Sequence, residues 1–121
     1  MSTGVHQMLA SQTVILTQSG SRYLQQICKH WSHKFAVEFT PETGRIPFDD
    51  GRVCLLEADD AALRLRVEAA DDEALARAER VVIEHLKRFA FREDFGEVVW
   101  QRGIQVNDAD LRVTALSHES R

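Results

Sequence analysis

Apolar residues recur along this chain with two different periods, and the points where the period changes divide it into elements. Residues 13–17, TVILT, are a short β-branched run between polar residues and predict a strand. Ser19, Gly20 and Ser21 supply turn and cap chemistry, after which Leu24, Ile27 and Trp31 fall at helical spacing. A first helix is therefore predicted from residue 21 to residue 31 or 33. Phe35, Val37 and Phe39 then alternate with Ala36 and Glu38, the period of a strand with one buried face, and TPETG closes that strand with turn residues. Residues 45–48, RIPF, contain Pro47, which lacks a ladder donor, so this segment reads as an edge piece or a loop.

The second half follows the same logic. Asp49, Asp50 and Gly51 read as a turn into RVCLLEA, and a further Asp59–Asp60 turn leads into ALRLRVEA, where Leu63, Leu65 and Val67 alternate with Arg64, Arg66 and Glu68. That pair predicts a hairpin. A second helix is predicted over residues 72–92: Asp71 or Asp72 caps it, Glu73 lies in its first turn, and Leu75, Ala78, Val82, Leu86 and Phe89 form its apolar stripe. EVVWQ, residues 97–101, predicts a last strand.

The predicted order is β-α-β-β-β-α-β with hairpin-length connections in the middle. It implies an α+β fold, a two-layer sandwich in which two helices cover one face of a mainly antiparallel sheet, related to the ferredoxin-like arrangement. Residues 13–102 make the single domain, 1–12 an N-terminal extension and 103–121 a polar C-terminal extension with a short strand near residues 111–116. The predicted core is Leu24, Ile27, Trp31, Val37, Leu65, Val67, Val82, Leu86 and Phe89. The uncovered face or edge of the sheet is where a second copy would dock as a homodimer.

Composition narrows the function classes. At 121 residues, 44% hydrophobic and 28% charged, the chain can bury a core without disulfides or metal, so no cofactor is required for folding. Residues 1–48 carry four Lys/Arg and two Asp/Glu, and the remainder carries eleven and seventeen, for a net charge of −4. Interleaved carboxylates of this density argue against nucleic-acid binding, which needs a basic surface. No apolar run is long enough to span a membrane and the first residues lack a signal-peptide pattern, so a cytoplasmic protein is expected. Cys28 and Cys54 do not make a disulfide framework.

Two stretches carry candidate chemistry. In ICKHWSHKF, Cys28 and His30 are two steps apart and project about 160° from each other on a helix, so they cannot act together there. His30 and His33, three apart, can face one way as a two-histidine metal clip, although zinc takes three or four ligands. In the second helix, His85 sits on the flank of the apolar stripe with Arg88 and Arg92 at i+3 and i+7. A histidine with two guanidinium groups can hold a carboxylate, a phosphate or a catecholate-like oxygen ligand. With both helices on one face, Tyr23 and His30 approach that flank and complete a His/Arg/Tyr pocket. The same charges can instead form a solvated surface with Glu84, Glu93 and Asp94 as partners. The P-loop, dinucleotide, nucleophile-elbow and HExxH motifs are absent, and the paired aspartates sit in turns.

SRYLQQICKHWSHKF, GRIPF, LEADDAALRLRVEA and EHLKRFAFRE with a following Trp, in that order, resemble the bacterial family called domain of unknown function 2218, over residues 13–102. The resemblance implies a small cytoplasmic protein and carries no catalytic residues. Related domains accompany siderophore-interacting ferric reductases, which implies a functional link to iron handling and an iron complex or transition metal among the ligands. An aldolase label used for some members implies a (β/α)₈ barrel of about 250 residues, twice this length and with a different element order. The expected function is therefore a non-catalytic binding or accessory protein for a small anionic ligand. The alternative is a metal- or thiol-dependent enzyme built on Cys28, His30 and His33.

Overall fold

The computed structural model describes residues 8–103. Strand β1, Leu9–Leu16, leads into helix α1, Gly20–Trp31; strands β2, Glu38–Phe39, β3, Thr43–Pro47, β4, Val53–Ala58, and β5, Ala62–Ala69, follow; helix α2, Asp72–Phe89, and strand β6, Gln101–Gly103, complete the chain. The six strands form one antiparallel sheet in the order β2-β3-β4-β5-β1-β6. Helix α1 packs on β3 and β4, and α2 on β5 and β1, so both helices lie on one face. This is the α+β sandwich expected from the pattern. With the β2–β3 hairpin set aside, the order β4-β5-β1-β6 is compatible with the ferredoxin-like relation.

The core lies between the layers. Leu24, Ile27, Cys28 and Trp31 of α1 and Leu75, Ala78, Val82 and Leu86 of α2 meet Ile46, Cys54, Leu56, Leu63, Leu65 and Val67 of the sheet. Each buried Leu, Ile or Val side chain among them contributes about 1.5–3 kcal/mol. Val37 and Phe89, expected in the core, are only partly buried at its margin. Helix α2 begins as predicted, with the Asp71 carboxylate accepting from the Ala74 amide at 2.8 Å. The Asp59 carboxylate caps the β4–β5 turn by accepting from the amides of Ala61 and Ala62. Arg64 is exposed as expected. Arg66 also points to the helix-free face, but its side chain is only 10% exposed and pairs with Glu68 at 2.9 Å.

Three expectations are corrected and two are met. Strand β1 starts at Leu9, inside the stretch read as an extension, because its core-side positions Ser11 and Thr13 are polar and hide the alternation. RIPF, read as an edge piece or a loop, holds as an edge: Arg45–Pro47 end β3, where Ile46 and Pro47 pair with β4 alone and the missing Pro47 donor is tolerated, and Phe48 follows the strand. The Asp49–Gly51 turn is present as a single 3₁₀ turn. Helix α2 stops at Phe89 rather than residue 92, and of the predicted last strand only Gln101 lies in β6. The expected strand near residues 111–116 lies outside the described residues, as do residues 1–7 and the rest of 104–121.

Candidate functional site

The last turn of α1 and the C-terminal half of α2 bring two histidines together. The His30 and His85 rings lie 5.2 Å apart between centroids. His85 is half-buried, and its Nδ1 lies 2.8 Å from the carbonyl of Val81, one turn earlier in α2. A carbonyl can only accept, so Nδ1 carries the proton and Nε2 is left for other partners. Trp31 and Phe89 frame the pair. The Trp31 ring is 4.5 Å from His85 and 5.9 Å from His30, and the Phe89 ring is 5.9 Å from His30. Trp31 in turn stands edge-on to Phe48 at 5.1 Å, which ties the pair to the core.

The neighbours that act most on His30 are basic side chains. His30 is held below the ordinary histidine pKa first by desolvation and then by its neighbours His85, Arg88, His33 and Lys34. Among the described residues, neither His30 nor Arg88 forms an ion pair with a carboxylate. The arrangement is therefore a cationic, aromatic-edged surface whose charge is not neutralised by these ion pairs.

The other residues proposed from sequence go elsewhere. Tyr23 is buried, and its hydroxyl donates to the Glu93 carboxylate, which also accepts from Thr17 Oγ1 at 2.9 Å. The Tyr23 ring packs edge-on against Phe95. Tyr23 thus fastens the chain after α2 to α1 and β1 instead of facing the histidines. Arg92 lies past the end of α2, so the helical i+7 relation to His85 does not extend to it; its guanidinium sits 5.5 Å from the Phe91 ring centre. His33 is exposed in the turn after α1 and acts on His30 through charge.

Cys28 is fully buried and desolvation pushes its thiol up to about 11. Cys54, also fully buried, is raised further by burial and by Cys28. A thiol in that range is not a thiolate at neutral pH, so Cys28 packs as a small hydrophobe. Among the described residues no group of three or more His, Cys, Asp or Glu side chains is gathered as a metal site.

Sequence reasoning missed two features. One is the part played by Trp31, assigned only to the core, as the wall against which both histidines stand. The other is a groove of about 680 Å³ along the β1 edge, lined by residues 12–16 and by Asp94, Phe95, Glu97, Val98, Val99 and Gln101, none of them from the histidine cluster. Its signal was the polar inner face of β1: Thr13 Oγ1 donates to the Val99 carbonyl at 2.8 Å where β6 has not yet begun.

No curated protein matches the chain. Among solved structures, it is similar to the NMR structure of PA4090 from Pseudomonas aeruginosa, with 39% identity over 77% of this chain and 95% of that one and a TM-score of 0.66. The model of a family described as uncharacterized protein conserved in bacteria matches residues 12–101. With three-quarters of its length inside that match, and with the motifs around Cys28–His33 and His85–Arg92 within it, the chain belongs to the domain of unknown function 2218 family.

Proposed function

We propose that the protein is a non-catalytic binding protein for a small oxyanion-bearing ligand, held by His30, His85 and Arg88. The observation that carries this reading is the meeting of His30 and His85 at 5.2 Å between ring centroids, with Arg88 one turn on in α2 and neither His30 nor Arg88 paired with a carboxylate among the described residues. An anion arriving there meets donors rather than competing carboxylates, and a guanidinium offers the paired N–H geometry that carboxylates and phosphates accept. Anionic iron chelates fall within this ligand class. Tyr23 and Arg92 lend the reading no support, since one is committed to Glu93 and the other lies beyond the helix. The thiol alternative has less support, because a buried Cys28 held at about 11 is a poor nucleophile.

Protonated imidazoles bind anions better than neutral ones, so affinity should rise as pH falls through the His30 titration. The test is an NMR titration of the imidazole signals with inorganic phosphate at constant ionic strength. Phosphate should raise the His30 pKa towards the ordinary histidine value, and Arg88→Ala should weaken the effect severalfold while Arg77→Ala leaves it unchanged. A rise no larger than that given by chloride, or one insensitive to Arg88, overturns the reading.

A further inference from the structure

We infer that His30 and His85 form a bidentate imidazole clip for a divalent transition ion of the Cu²⁺, Ni²⁺ or Zn²⁺ class. This goes beyond the anion reading, since it uses ring lone pairs where an anion uses N–H groups.

Three observations support it. First, with metal–nitrogen bonds of about 2.0–2.1 Å, two imidazoles on one ion at a tetrahedral angle stand with ring centres about 5 Å apart. The two rings here are 5.2 Å apart before any ion is bound. Second, the Nδ1 proton of His85 is donated to the Val81 carbonyl at 2.8 Å, which fixes the tautomer that leaves the Nε2 lone pair for a metal. Metal-ligating histidines are commonly oriented by such a second bond. Third, His30 is exposed near the end of α1 and neither of its ring nitrogens is held by a hydrogen bond among the described residues, whereas His85 is half-buried and fixed. One rigid and one adjustable ligand on two packed helices make the geometry reachable without moving the backbone.

The surrounding cations oppose an incoming dication, because neighbours this close stand within the screening length of about 8 Å at physiological salt, and the coordinate bonds must outweigh that repulsion. Coordination to a lone pair acts at bond length and is not screened. The remaining coordination positions fall to water or to donor atoms of a small ligand, because no third protein ligand is gathered there among the described residues. Imidazole ligands select Cu²⁺, Ni²⁺ and Zn²⁺ over Mg²⁺ or Ca²⁺, which prefer oxygen.

This clip differs from the His30/His33 pair suggested by helical spacing, and the difference is testable. The full-length protein, without a purification tag, is titrated with Zn²⁺ in a buffer free of phosphate and carboxylates, and histidine ring signals are followed by NMR. His30 and His85 should shift together and saturate, while His33 and the remaining histidines, His6 and His118, should respond less. His30→Ala and His85→Ala should each weaken binding about tenfold or more, since losing even an outer partner of a metal ligand costs about 10–100-fold. His33→Ala should leave it within twofold. His30 is exposed, so its variant keeps the test decisive even if the half-buried His85 proves necessary for folding. Equal response of all histidines, equal loss in His33→Ala, or no saturable shift overturns the clip. Because phosphate is absent, failure here leaves the anion titration to stand or fall separately.

Discussion

Gly44→Ala should loosen the seat of α1 on the sheet, and Cys28→Ala should restore it. Gly44 lies in β3 directly beneath the helix, and a Cβ placed there would stand 2.8 Å from Cys28 Sγ and 3.3 Å from Leu56 Cδ1. Ordinary contact begins at 3.4 Å, so helix and strand must part by about 0.6 Å. Overpacking of this kind costs about 1–3 kcal/mol, partly offset by the roughly 0.5–1 kcal/mol that alanine gains over glycine within a strand, for a net loss of about 1–2 kcal/mol. For a domain of this size that lowers the melting temperature by about 4–8 °C per kcal/mol. Removing the Cys28 sulfur alone deletes one buried heavy atom and should cost about 0.5–1.5 kcal/mol. In the double variant the new methyl enters the space the sulfur left, so the two losses should fall short of additivity by about 1 kcal/mol. Thermal and urea unfolding of the four proteins measure this cycle. His30 lies two residues beyond Cys28 on the same helix, so Gly44→Ala should also shift the His30 ring signal, and the double variant should return it. Wild-type stability in Gly44→Ala, or additivity within about 0.5 kcal/mol, would refute the close-packing argument.

Tyr23→Phe removes a donor to Glu93 and should cost about 1–3 kcal/mol, because the carboxylate loses a charge-assisted bond; hydrogen exchange should rise over residues 90–99 and not in β4, and uniform change would contradict the tether. Asp71→Ala deletes the cap on Ala74 and should cost about 1 kcal/mol, recovered largely by Asp71→Asn or Ser, as read from chemical denaturation. His30 has a folded pKa below the ordinary histidine value of 6.5, so the unfolded chain binds more protons in the interval between them. Stability is therefore complete above 6.5 and is lost as pH falls through the lower folded value; His30→Gln should flatten that slope, and an unchanged profile would show that other groups govern it.

What the sequence made legible depended on how many residues voted for each element. Helix α2 carries a cap and a four-residue buried stripe, and the β4–β5 hairpin carries strict alternation, so both were readable without tertiary context. Strand β1 was only half readable because Ser11 and Thr13 occupy its buried face. Those positions are polar for a reason found across the fold: Thr13 bonds the Val99 carbonyl, and Ser11 stands by Glu79. Burial alone would raise the Glu79 carboxyl, but the hydrogen bond and charge of Arg102, with help from Ser11, hold it below its usual range. Ser11 Oγ makes no bond of normal geometry, which fits a secondary contribution behind the 3.0 Å Arg102–Glu79 bond. The approach of His30 to His85 was legible because it needed only two helices on one face. The fates of Tyr23 and Arg92 were not, because each turned on where α2 ends, three residues earlier than its charged tail suggested.

The same displacement explains why the chemistry gathers at one corner. Because the helix stops at Phe89, the chain turns and Glu93 is drawn to Thr17 and Tyr23, where two hydroxyls donate to it. Its charge is thereby used at the junction of β1 and α1. Trp31 completes the separation. Buried, and in ring contact with Phe48, His85 and His30, it sets the spacing of the two imidazoles from the core side while leaving His30 exposed. The spacing of the two imidazoles is thus set by packing, and Glu93 is committed to Thr17 and Tyr23. Variants that disturb Trp31 or the Glu93 junction should therefore alter the histidine pair even though they leave every proposed ligand-contacting group in place.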